Sequence, residues 1–169
     1  MREMFSITDA FNQDISNWNV SSVTDMLEMF YEAAVFNQDI SDWNVSSVTD
    51  MEAIFSNAES FNQDISNWDV SNVTTFEYAF ENATVFDQNL GDWDVSNVTE
   101  FADMFNNSGM STLNYDSTLI GWSTQSLSMN ERLGATGMEY CESTVERQFM
   151  VDNFGWAFDG DALASSCDY

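Results

Sequence analysis

Twenty-nine Asp and Glu residues stand against three basic ones, Arg2, Arg132 and Arg147, with neither His nor Lys, so carboxylates are the abundant groups that could act on a ligand. They recur with amides and hydroxyls in rows at intervals of 25: Asp14, Asp39, Asp64 and Asn89; Asn17, Asp42, Asn67 and Asp92; Asn19, Asn44, Asp69 and Asp94; Ser21, Ser46, Ser71 and Ser96. Oxygen donors in such rows suit sugar hydroxyls or a hard cation such as calcium, with Asp69, Asp94, Asp14, Asp39 and Asp64 as candidate ligands. Soft-metal ligands are lacking, and no loop of the D-x-D-x-D-G kind supplies a known calcium spacing. The repeated Asn and Asp side chains also have a local use, bonding neighbouring backbone in turns.

Catalysis is harder to assemble. Nucleophile and base pairs of the usual kinds need His, Lys or a free Cys. A two-carboxylate glycosidase survives that elimination, yet equivalent carboxylates in a row lack the unequal environments that separate acid from base. The reading is therefore no enzyme, no catalytic residues and no required cofactor, with calcium as an optional ion.

The formal net charge of -26 excludes nucleic acid as a partner, since nothing could neutralise phosphates. It also opposes binding to an anionic membrane surface. No apolar run approaches the ~20 residues of a membrane span, and no signal peptide is visible. The composition, 44% hydrophobic and 15% aromatic, is that of a chain that folds around a core. Cys141 and Cys167 are the only cysteines, and in an oxidising compartment they would pair.

The elements that must position these rows follow from the repeat. Phe11, Phe36, Phe61 and Phe86 open four copies reading FNQDISNWNV, FNQDISDWNV, FNQDISNWDV and FDQNLGDWDV. Trp18, Trp43, Trp68 and Trp93 follow, and Phe5, Phe30, Phe55, Phe80 and Phe105 close the next segment, the first copy being partial. Trp18-x-Val20 suits a short strand with Trp and Val inward. SSVTDMLEMF, with Ser22 and Asp25 as caps and Val23, Met26 and Phe30 on one stripe, suits a short helix. One such unit cannot bury its own apolar face, so the copies must stack. The expected fold is α/β, a right-handed leucine-rich-repeat-like solenoid over 1–109, the Trp series forming core and the rows above facing outward from a parallel sheet.

After Phe105 the period fails and glycines appear, which marks a C-terminal α/β capping subdomain over 110–169. Helices are expected over 114–122 and 143–153, the latter with Ser143 and Glu146 as a capping box, along with two or three short strands covering the last sheet edge. No comparable cap precedes Met1, so an exposed edge, removed material or self-association is expected there.

The FNQDISxWxVSxVTDM repeat resembles the BspA-like leucine-rich repeat surface proteins, a family abundant in Bacteroidetes and among mycoplasma lipoproteins. That resemblance covers Met1 to about Gly109 and implies an exported, surface-displayed protein with a role in adhesion. The expected function is a secreted or cell-surface recognition module. It would bind a glycan, a protein or a surface of a host or neighbouring cell through Asn17, Asn19, Asp42, Asn44, Asn67, Asp69, Asp92 and Asp94. A purely structural stalk within a larger surface protein is the alternative.

Overall fold

The computed structural model describes residues 1–167 as a mixed α/β chain with short helices and short parallel strands. Two columns of phenylalanine rings run through the repeats. Phe5, Phe30, Phe55, Phe80 and Phe105 lie 5.5–6.0 Å apart between ring centroids, and Phe11, Phe36, Phe61 and Phe86 lie 5.9–6.2 Å apart. Within a copy the columns touch, as at Phe30 and Phe36, 4.1 Å apart. With Trp43, Trp68 and Trp93 and the valines at 45, 48, 70, 73, 95 and 98 the rings from Phe30 and Phe36 onward form one buried core, against which the half-buried Phe5 and Phe11 pack. One 25-residue spacing thus brings like residues of successive copies into contact, which is how units unable to fold alone bury their apolar faces.

The helix expected in SSVTDMLEMF does not form. The segment is a run of turns in which backbone N–H groups alternate between two destinations. Those of Met26, Glu28, Phe30 and Glu32 donate to Asp50, Glu52, Ile54 and Ser56 of the next copy, while those of Met29, Tyr31 and Ala33 donate three residues back to Met26, Glu28 and Phe30. This alternation needs left-handed backbone at two positions per copy, found at Glu28 (φ 53°), Glu32 (φ 55°), Ala53 (φ 51°), Asn57 (φ 59°), Tyr78 (φ 57°) and Asn82 (φ 55°). Each such non-glycine residue costs roughly 1–2 kcal/mol, offset by an inter-copy bond that a helix would not make. Residues at the position of the expected cap Ser22 serve the same ladder in the later copies: Ser47 Oγ donates to Ser21 O, and Asn72 and Asn97 Nδ2 donate to Ser46 O and Ser71 O.

Nor does a strand form at Trp18–Val20. The parallel bridges fall instead at Asp25, Asp50, Thr75 and Glu100, within the stretch expected to be helical. Trp and Val are nevertheless inward in the later copies, because each indole is anchored one copy back: Trp43, Trp68 and Trp93 Nε1 donate to Ile15, Ile40 and Ile65 O at 3.2, 3.1 and 3.0 Å.

The tail carries α1 (Thr112–Ser123), β1 (Arg132–Gly134), β2 (Glu139–Tyr140), α2 (Thr144–Phe154), β3 (Ala157–Asp159) and β4 (Ala162–Leu163). Both expected helices are present; among the described residues the strands number four, in the parallel pairs β1–β3 and β2–β4. The repeat ladder runs on into them: Phe101 bridges Leu133, which pairs with Phe158. Helix α1 stands where a fifth FNQDIS segment would, with Trp122 Nε1 donating to Leu90 O at 2.9 Å. The fourth copy departs from the repeat where α1 meets it. Gly91 replaces the usual Ser, and a Cβ there would lie 2.6 Å from Ser117 O. Asp87 replaces Asn and accepts from the N and Oγ of Ser111, the α1 N-cap, both at 2.7 Å.

Ser143 does not form the expected capping box, having no side-chain bond to its own helix. Its Oγ donates at 2.6 Å to Asp116, a buried carboxylate on α1 that also accepts from the N–H groups of Cys141, Glu142 and Ser143. Asp116 thus supplies the negative charge that favours a helix start. Cys141 and Cys167 are joined in the expected disulfide. Arg147 lies over the rings of Tyr140 and Phe158, 4.8 and 4.4 Å away, and forks onto Asp161.

Candidate functional site

The rows singled out from the sequence sit in exposed turns, not on a sheet face. In the FNQDIS turns Oδ1 of Asp14 accepts from Ser16 N and Oγ at 2.9 and 2.7 Å. Asp39 does the same with Ser41, Asp64 accepts from Ser66 N, and Asn89 from Gly91 N. Two turns on, Asn19, Asn44 and Asp69 each accept from the N and Oγ of the Ser two residues ahead, and Asp94 from Ser96 N. These bonds from Ser hold the Asp14, Asp39, Asp64 and Asp69 carboxyls below the usual aspartate value. Asn17, Asp42, Asn67 and Asp92 are exposed beside them. Among the described residues no three carboxylate, Cys or His side chains gather closely enough to hold a metal ion.

A concave site lies elsewhere, on the turn ladder. A groove of about 270 Å³ is lined by Glu28, Tyr31, Glu52, Ala53, Ser56, Tyr78 and Glu81. Its lining comes from three rows of the repeat: Glu28, Ala53 and Tyr78; Glu52; and Tyr31, Ser56 and Glu81. The left-handed backbone of the first row and the inter-copy bonds place these residues one copy apart. Ser56 Oγ donates to Glu81 Oε2 at 3.4 Å.

Carboxylates are crowded here. Partial burial, then the charges of Glu77, Asp50 and Glu28, push Glu52 up; burial and Asp103 push Glu81 up. The tyrosine hydroxyls follow, Tyr31 mainly through a hydrogen bond to Glu32 and Tyr78 mainly through the charge of Glu77. Little opposes this field. The three arginines are paired with Asp25, Asp159 and Asp161, and only Arg2 reaches far enough to lower Glu52. A groove of this kind, with tyrosine walls and an excess of negative charge, can hold a cationic group by Coulomb attraction and by cation–π contact.

Sequence reasoning missed this groove because it followed the positions that repeat. The groove lies where the copies differ, Glu, Ala and Tyr at one position and Tyr, Ser and Glu at another. Positions that repeat without change build the turns and the core, so the departures inside the period were the available signal.

A protein-family model described as "Mycoplasma protein of unknown function, DUF285" matches residues 1–133. The comparison with curated proteins and the comparison with solved structures each found no match.

Proposed function

We propose that this chain, which belongs to the DUF285 family by the match over residues 1–133, is an extracellular, surface-displayed recognition module. Its turn-ladder groove binds a partner through clustered Lys or Arg side chains. The observation that carries this reading is the gathering of Glu28, Glu52 and Glu81 with Tyr31 and Tyr78 in a groove whose lining holds no basic residue, Arg2 acting on Glu52 only as the weakest influence. A ligand cation relieves that repulsion, and the net charge of -26 steers a basic partner toward the surface. The ladder of inter-copy bonds supports a solenoid of the leucine-rich-repeat kind, akin to the BspA-like proteins, as the scaffold. The Cys141–Cys167 disulfide supports an oxidising, extracellular setting, and among the described residues no helix is long and apolar enough to cross a membrane. No catalytic chemistry is assigned.

The test is calorimetric titration of the protein with a lysine-rich peptide at low and at physiological salt. Saturable binding that weakens as salt rises, and that an uncharged peptide of equal length does not reproduce, is the expected result; absence of binding at low salt sinks the reading. A structural spacer is favoured by one observation, that Asp14, Asp39, Asp64 and Asp69 are engaged in their own turns and so have a use without any ligand.

A further inference from the structure

The groove on the turn ladder consists of two half-sites of the same composition. Tyr31, Ser56 and Glu81 N donate to the oxygens of Glu28, Ala53 and Tyr78 at 3.2, 3.2 and 3.1 Å, so each copy presents the two ends of one turn, less than about 7 Å apart. The middle copy contributes the small residues Ala53 and Ser56, 6% and 1% exposed, which form the floor. The copies on either side, about 10 Å apart by two strand spacings, supply the walls: Glu28 and Tyr31 on one, Tyr78 and Glu81 on the other. The order of carboxylate and ring is reversed between the walls. Glu28 is therefore matched with Tyr78 across Ala53, and Glu81 with Tyr31 across Ser56. Ser56 Oγ donates to Glu81 Oε2 at 3.4 Å, which draws that carboxylate over the floor. Tyr31, raised first by its hydrogen bond to Glu32, also feels the charges of Glu28 and Glu81, as it must if both walls border one space.

Resting on the reading of this groove as a site for cationic side chains, we infer that it takes two of them at once, from residues two apart on an extended segment of the partner. Each half-site sets a carboxylate against a ring, which suits one cation held by charge on one side and by a ring face on the other. Glu52, next to Ala53 in the chain, adds a third carboxylate to the lining, so two cations are matched by charge. The spacing selects the partner's conformation. In an extended chain alternate side chains share one face about 6.4–6.8 Å apart, the separation of the half-sites, whereas adjacent ones point to opposite faces. Helical neighbours lie about 5–6 Å apart, but the body of a helix is about 10–12 Å across, too broad to enter between walls about 10 Å apart.

The experiment titrates the full chain at low salt with four end-blocked Gly/Ser peptides of equal length, one carrying a single Arg and three carrying two Arg residues placed adjacent, two apart or five apart. The peptide with arginines two apart is expected to bind about tenfold or more tightly than the other two-Arg peptides, because its second cation binds intramolecularly. Glu28→Gln or Glu81→Gln, each removing the carboxylate of one half-site, brings that peptide down to the affinity of the single-Arg peptide, with Tm checking that each variant remains folded. Equal affinity for the three two-Arg peptides, with binding still lost on replacing the groove glutamates, overturns the paired half-sites and leaves the groove reading in place. Tighter binding by a helix-forming peptide with arginines four apart overturns them as well. So does the absence of binding by all four peptides; the lysine-rich peptide then separates the two failures, since its own lack of binding sinks the groove reading too.

Discussion

The indole N–H of Trp68 donates to the main-chain oxygen of Ile40 at 3.1 Å, and both residues are buried. Trp68→Phe keeps an aromatic ring but removes one of the two donors to that oxygen, the Trp43 N–H remaining, at a cost of about 0.5–1.5 kcal/mol. Among the described residues the Trp18 indole N–H has no protein acceptor and the ring is 42% exposed, so Trp18→Phe in this chain changes stability by less than about 0.5 kcal/mol. Urea unfolding of the two variants measures the difference directly.

The disulfide between Cys141 and Cys167 spans 26 residues. Its reduction is expected to lower stability by about 3 kcal/mol through the freed unfolded chain. Denaturant unfolding of the Cys141→Ser/Cys167→Ser variant checks this, and equal stability of variant and parent would show that the tail is held by Arg147, Asp161 and Asp116 alone.

The core was legible in the sequence because burial follows residue type, and Phe, Trp and Val at a fixed period have one place to go. Local geometry was not. SSVTDMLEMF carries caps and an apolar stripe that fit a helix, while its left-handed positions hold Glu28, Ala53 and Tyr78 instead of the glycines that would announce such turns. The inter-copy bonds that compensate them are tertiary and leave no local mark. The tail helices were legible because they lie outside the period, although the partner of Ser143, Asp116, lies 27 residues away. Of the site, the acidity was visible, but the groove required knowing that Glu28, Glu52 and Glu81 share one side of the ladder.

The pH dependence has two opposed parts. Glu52 and Glu81 titrate above the ordinary glutamate value of 4.5, so the folded state holds these protons more tightly than the unfolded chain. Stability therefore rises as pH falls through that raised range. Asp14, Asp39, Asp64 and Asp69 lie below the ordinary 3.8; their contribution is present above that value and is lost as pH falls through their folded-state values. Thermal unfolding should give a Tm that rises as pH is lowered toward the ordinary glutamate value and declines once pH falls below the ordinary aspartate value. A Tm that falls steadily from pH 8 to pH 5 would contradict the assignment of Glu52 and Glu81.

Salt should stabilise the chain by screening its self-repulsion. Calcium and magnesium at equal ionic strength are expected to raise Tm equally, since among the described residues no three carboxylates gather closely enough to hold a metal ion. A rise of several degrees specific to calcium would reveal a site that binds the folded state and would return Asp69, Asp94, Asp14, Asp39 and Asp64 to consideration as ligands.

The groove is the central claim, and the most direct test compares two triple variants in titration with the same lysine-rich peptide. One replaces Glu28, Glu52 and Glu81 by Gln; the other replaces Asp14, Asp39 and Asp64 by Asn, removing the same charge from the turn rows. Binding through the groove predicts a loss of about tenfold or more for the glutamate variant, the equivalent of roughly 1.4 kcal/mol, and a change of less than about threefold for the aspartate variant. Equal losses in the two would show that the peptide senses only net charge, and the groove would then have no special part in recognition.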